Sequence, residues 1–135
     1  VPVILVDSNI EGQGARIWMR LRTAEWRELT TALDLTFRTF REVGLDHASS
    51  DDVVWHFCQA QGHYLLTSNR NAESAASLET TIRRETTPAS LPVFTLALPD
   101  RVYSSSTFLD QVVEKLLEYV LDADSIRGAG RLYVP

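Results

Sequence analysis

Apolar residues are arranged in two ways along this chain: short unbroken runs, and longer stretches in which they recur every three or four positions. Val1–Val6 is an unbroken run that stops at Asp7-Ser8-Asn9, the pattern of a central parallel strand covered on both faces. From Gln13 to Leu33 the spacing becomes helical (Ile17 and Leu21, then Trp26, Leu29 and Leu33), which predicts one long or two short amphipathic helices, with Thr23 as an N-cap between them. Leu35-Thr36-Phe37-Arg38-Thr39-Phe40 is rich in β-branched and aromatic residues and reads as a second strand, followed by an irregular Gly44–Ser50 loop.

Ser49-Ser50-Asp51-Asp52 then opens a helix with Val54, Phe57 and Cys58 as its inward stripe and Gly62 at its close. Tyr64–Ser68 is the third strand. Glu73–Glu85 reads as a helix packed through Leu78 and Ile82, and Leu91–Leu96 as a fourth strand framed by Pro88 and Pro99. The longest periodic stretch, Ser104–Leu121, predicts a docked helix, and Arg131–Val134 a small edge strand. This alternation implies a single α/β domain: a three-layer α/β/α arrangement with a mostly parallel sheet of four or five strands and right-handed crossovers. In such sheets ligands collect beyond the carboxyl ends of the strands, where strand order reverses.

Composition narrows the classes. An apolar fraction of 44% and a charged fraction of 23% are ordinary globular values, which argues against disorder, collagen-like repeats or a disulfide scaffold. No apolar run approaches the roughly 20 residues needed to cross a bilayer, so no membrane partner is expected. Cys58 is the only cysteine, which rules out an intrachain disulfide and fits a reducing cytoplasm; Val1 is not an initiator methionine, so an upstream targeting segment would not be seen. His47, His56 and His63 form no i,i+4 pair and read as solvated or capping residues rather than metal ligands. A net charge of −5 disfavours broad attraction to a polyanion. Against that, 12 of the 13 basic residues are arginine, and Arg16, Arg20, Arg22 and Arg27 lie close enough to form a local basic face or an ordinary charged helix surface.

The strand ends supply the candidate chemistry. Asp7 and Asn9 follow the first strand, Asn69 and Asn71 the third, and Asp100 the fourth, while Asp51 starts the helix leading into the third. Carboxylates grouped with amides and hydroxyls form an all-oxygen site suited to Mg²⁺ or Mn²⁺. Each residue also has a structural explanation. Asp7 and Asn9 favour turns, Asp51 and Asp52 complement a helix N-terminus, and Asn69 and Asn71 tolerate left-handed backbone. Gly12-Gln13-Gly14 fails as a dinucleotide fingerprint because the third glycine is missing, and reads instead as permitting the turn into a helix. No Gly-x-Ser-x-Gly elbow occurs, and Cys58 sits on a buried stripe, which leaves nucleophilic hydrolysis unsupported.

Asp7-Ser8-Asn9-Ile10 resembles the opening Asp-x-Asn of PIN and PIN-like domains, metal-dependent ribonuclease folds that include many toxins of toxin–antitoxin pairs. A longer stretch is similar to the small PIN-like branch: Gly44-Leu45, Ser50-Asp51-Asp52-Val53-Val54, Ala60, Gly62-His63 and Leu65-Leu66-Thr67-Ser68-Asn69-Arg70-Asn71. The resemblance implies that Asp7 and Asp51 are metal ligands, that Thr67 lies near the metal or the scissile phosphate, and that Asn69 occupies a ligand position. Asn9, Arg70 and Asn71 would then contact substrate, with Arg70 on a phosphate. The sequence departs from the family pattern where two aspartates become Asn69 and Asn71 and an aromatic becomes Ala72. Amides bring no charge to an ion, so the implied site is a weakened one; Glu79 or Asp100 could replace the lost acids, although Glu79 equally reads as a solvated helix residue. The functional expectation is therefore a Mg²⁺-dependent endoribonuclease of toxin type with a weakened metal site. The alternative is a non-catalytic PIN-like module whose cleft or Trp18/Trp26 region docks an antitoxin-like protein or a second copy. A phosphatase acting on small phosphoesters is a third option.

Overall fold

The computed structural model describes all 135 residues. Five strands, β1 (Val3–Val6), β2 (Thr36–Thr39), β3 (His63–Thr67), β4 (Val93–Thr95) and β5 (Arg131–Tyr133), form one sheet in the order β2-β1-β3-β4-β5, every pair parallel. A single 3-10 turn (Ser8–Ile10) leads into α1 (Glu11–Leu21), followed by α2 (Arg27–Ala32), α3 (Phe40–Val43), α4 (Asp51–Gln61), α5 (Leu78–Glu85), α6 (Arg101–Ser104), α7 (Ser106–Leu121) and α8 (Ala123–Ile126). No helix is long and apolar enough to cross a membrane.

The two faces of the sheet explain the unbroken apolar runs. Side chains alternate along a strand, so Ile4, Val6, Tyr64, Leu66 and Phe94 point to one side, where they pack on Ile17 and Leu21 of α1 and on Val112, Val113 and Leu116 of α7. Leu5, Leu65 and Val93 point to the other side, against Phe40, Val54, Trp55, Cys58, Leu78 and Ile82 of α3, α4 and α5. The result is a three-layer α/β/α domain with two cores. From β1 the chain moves one way to β2 and thereafter the other way, so the order reverses between β1 and β3. The first three crossovers share one hand, since reversal of direction accompanies the change of face. The last does not: α7 packs beside α1 while the chain still advances from β4 to β5, so this crossover has the opposite hand.

Several sequence expectations need correction. Thr23 does not cap α2; its hydroxyl donates to the Arg20 carbonyl at 2.7 Å and closes α1 instead. Phe40 leaves the second strand and starts α3, because Thr39 and Glu42 form a reciprocal capping box. In α4 the third core residue is Trp55 rather than Phe57, which is only partly buried; the helix ends where expected, at Gly62 with φ 70. The helix expected from Glu73 begins only at Leu78, since Asn69 and Asn71 accept backbone hydrogen bonds from Asn71 and Glu73 and hold that stretch in turns. Neither asparagine is left-handed; Asp34 is the one non-glycine residue with positive φ, at 55. Leu91–Leu96 is wholly buried but pairs only over Val93–Thr95.

Gly12 and Gly14 lie within α1 rather than at a turn. Gly14 is set by close packing, as a Cβ there would stand 2.4 Å from the Val6 Cγ1 methyl carbon. At Gly12 it would meet the Tyr103 hydroxyl.

Candidate functional site

The switch point between β1 and β3 brings the first group of predicted residues together. Asp7 directly follows β1, and its amide donates to the Leu66 carbonyl at 2.9 Å, extending the β1–β3 ladder by one residue. That bond turns the carboxylate toward Thr67, the last residue of β3, whose hydroxyl donates to Asp7 Oδ2 at 2.7 Å. Asp7 Oδ1 accepts a long 3.4 Å bond from the Asn9 amide, which makes Asp7 the cap of the 3-10 turn. Asp7 is 9% exposed. Burial raises its pKa from the ordinary carboxylate range; the Thr67 and Asn9 bonds oppose the shift, and the charge of Asp51 adds to it.

Asp51 reaches the same pocket from the first turn of α4. Its Oδ2 accepts from Asn69 Nδ2 at 2.9 Å and from the Leu78 amide at 3.0 Å. Leu78 is the first residue of α5, so Asp51 satisfies one of the free amides of that helix while holding the turn after β3. Both ends of the Asn69 amide are engaged: its nitrogen bonds Asp51, its side-chain oxygen accepts from Asn71 N at 2.8 Å, and its backbone N–H donates to Thr67 Oγ1 at 2.9 Å. In this arrangement Asn69 orients Asp51 rather than presenting a free oxygen. A small pocket of about 60 Å³ lies over the pair, lined by Asp7, Ser8, Asn9, His47, Ser49 and Asp51 with apolar walls beneath. The Ser8 hydroxyl, bonded to the His47 carbonyl at 3.2 Å, ties the Gly44–Ser50 loop over it.

Of the other predicted residues, Asn9 lines the pocket with an exposed side chain, whereas Arg70 and Asn71 are exposed and do not line it. Asp100 is exposed and meets Gln13 Nε2 at 3.5 Å; it does not line the pocket. Glu79 is not a solvated residue. It accepts from Arg131 Nε at 3.0 Å and from Arg83 Nε at 2.8 Å. No group of three or more histidine, cysteine, aspartate or glutamate side chains is placed to hold a metal ion, so the acidic set is the pair Asp7 and Asp51. Burial pushes the Cys58 thiol up to about 12, and it is inert as a nucleophile. Of the histidines, His56 bonds Glu85 at 2.9 Å, which raises its pKa, and His47 is exposed beside Asp46.

Sequence reasoning missed Arg131. From the edge strand β5 its Nη1 donates to the Asn69 carbonyl at 2.9 Å and to Thr95 Oγ1 at 2.8 Å, while its Nε bonds Glu79. It thereby fixes the turn after β3 from beneath. An arginine in a short strand near the end of the chain carries no local signal of that role.

Compared with known proteins, the chain matches no protein-family model, no curated protein and no solved structure.

Proposed function

We propose that this is a PIN-like domain that cleaves RNA phosphodiesters with Mg²⁺ or Mn²⁺ held by Asp7 and Asp51, as a toxin-type endoribonuclease with a weak metal site. The carrying observation is that two carboxylates from separate elements meet in one polar pocket at the carboxyl-end switch point, Asp7 hydrogen-bonded to the last residue of β3 and Asp51 to the turn that follows it. The donor chemistry fits such an ion, because Mg²⁺ is commonly held by one or two carboxylates with substrate phosphate and water completing its shell. The raised pKa of Asp7 supports the fit: a cation between Asp7 and Asp51 relieves both their mutual repulsion and the cost of burying charge. When bound, the ion supplies water activation and stabilises charge on a phosphoryl oxygen. Thr67 holds Asp7 in place, Asn69 holds Asp51, and Arg70, exposed on the turn after β3 and without an ion-pair partner, is free to pair with a phosphate.

The test is cleavage of single-stranded and structured RNA in Mn²⁺, with Asp7→Asn in parallel. Loss of cleavage in the variant supports the assignment, and cleavage indifferent to the change removes it.

One observation favours a second reading, a non-catalytic PIN-like module that docks an antitoxin-like protein or a second copy of itself. Asp51 Oδ2 is already satisfied by Asn69 and by the first amide of α5, a structural use that needs no ion. Calorimetric titration with Mn²⁺ separates the two. Saturable binding at millimolar concentration that disappears in Asp7→Asn belongs to the first reading, and no binding to the second.

A further inference from the structure

A second pocket lies at the opposite end of the sheet, beyond the amino ends of β1, β3 and β4. It encloses about 410 Å³, within the roughly 300–1,000 Å³ typical of small-molecule sites. Pro2, Leu33, Leu91 and Val120 wall it, with Tyr64 and Arg127 as polar members.

Tyr64 is 4% exposed, and its ring is stacked on Phe94 with centroids 4.8 Å apart and planes at 13°. The ring is therefore a core side chain, yet its hydroxyl makes no hydrogen bond within the chain and opens on the pocket. The hydroxyl is not sealed in the core with the ring but accessible from the pocket. Burial raises the Tyr64 pKa, so the group is a protonated donor at neutral pH.

Arg127 is held at the rim. Its Nη1 donates to the Ala89 carbonyl at 2.8 Å, and the next residue, Gly128, donates its amide to the Ser90 carbonyl at 2.9 Å. The guanidinium has no carboxylate within ion-pair distance; Asp124, one turn earlier on α8, is exposed, and its charge acts on the Tyr64 hydroxyl in opposition to that of Arg127. Gln59 also lines the pocket, but both ends of its amide are bonded to the backbone of Leu91, at 2.9 Å each. The side-chain groups left to face a ligand include the Tyr64 hydroxyl, which can donate, and the Arg127 guanidinium, which suits an anion, over an apolar wall.

We infer that this pocket binds a small amphipathic carboxylate, its apolar chain against Leu33, Leu91 and Val120 and its carboxylate between the Tyr64 hydroxyl and Arg127. The site lies at the far end of the sheet from Asp7 and does not depend on any metal chemistry there.

Octanoate below its micellar concentration is the probe, titrated calorimetrically into the full chain with octylamine in parallel. Saturable octanoate binding is expected, with no binding of octylamine. Arg127→Ala and Tyr64→Phe each weaken binding at least tenfold, about 1.4 kcal/mol. Tyr64→Phe keeps the ring on Phe94 and removes a hydroxyl without a protein partner, so its thermal midpoint should match wild type, separating loss of binding from loss of fold. Ala123→Trp, in the pocket wall, abolishes binding. Absence of saturable binding, equal binding of octylamine, or undiminished affinity in Arg127→Ala and Ala123→Trp would overturn the inference.

Discussion

The Thr67 hydroxyl donates to the Asp7 carboxylate at 2.7 Å, and this bond joins the two strands between which the order of the sheet reverses. Asp7 is nonetheless a buried acid whose proton is kept to higher pH than in an exposed aspartate, through burial first and the charge of Asp51 in addition, against the opposing pull of the Thr67 bond. In the unfolded chain Asp7 titrates at about 3.9. A folded-state pKa above that value means that its stabilising contribution is complete below the unfolded pKa and is lost as pH rises through the folded one. Asp7→Asn should therefore be more stable relative to wild type at neutral pH than at about pH 3. Urea unfolding at both pH values measures this, and an equal difference at the two contradicts it. Thr67→Val removes the bond that most opposes the shift, so carboxyl NMR should find Asp7 titrating higher still.

Arg131 and Glu79 form the best-shielded ion pair, with side chains 9% and 20% exposed. Arg131→Met leaves Glu79 with only its surface partner Arg83 and strips the Asn69 carbonyl and Thr95 hydroxyl of a donor. Removing one member of a buried pair costs about 3–5 kcal/mol, and partial exposure puts this case near the lower end. The double variant Arg131→Met/Glu79→Leu should recover part of the loss. A denaturant series on the single and double variants tests both statements.

Gly14→Ala and Gly12→Ala should have opposite outcomes despite lying one half-turn apart in α1. Helix propensity favours alanine at either position by about 1 kcal/mol. At Gly14 the new methyl meets both Val6 methyl carbons, at 2.4 and 2.8 Å, and overpacking of this kind costs about 1–3 kcal/mol. At Gly12 the obstacle is the end of the half-exposed Tyr103 side chain, which can swing away. Thermal unfolding should place Gly14→Ala below wild type and Gly12→Ala level with it or above.

Arg38 guards the open edge of the sheet. The Thr36 amide pairs inward with Pro2, so the neighbouring Phe37 backbone faces outward, and Arg38 Nη1 covers the Phe37 carbonyl at 3.1 Å. Glu42 covers the Thr39 amide in the same way at 3.0 Å. Exposed edges invite pairing with another chain, and long charged side chains suppress it. Arg38→Ala should increase self-association relative to wild type in light scattering across a concentration series. Identical masses at every concentration would exclude a guarding role.

The sequence alone determined the α/β class, the parallel sheet and the identity of most elements. Burial on both faces demands unbroken apolar runs such as Ile4-Leu5-Val6, burial on one face demands helical spacing such as that of Val112, Val113 and Leu116, and both patterns are local. It also placed Asp7, Thr67 and Asn69 at strand ends and Asp51 at a helix start, since element ends follow from the same patterns. Tertiary structure decided what those residues do to one another. That Asn69 spends its amide on Asp51, that Asp51 closes the N-terminus of α5, and that Arg131 supports the turn from the last strand are contacts between residues far apart in sequence. Nothing in their neighbours' periodicity encodes them. The late start of α5 has the same origin: helical propensity extends back toward Glu73, but the side chains of Asn69 and Asn71 claim the backbone amides of Asn71 and Glu73 first. The hand of the last crossover likewise depends on which face α7 covers, a choice made by the packed core and invisible to any window of sequence.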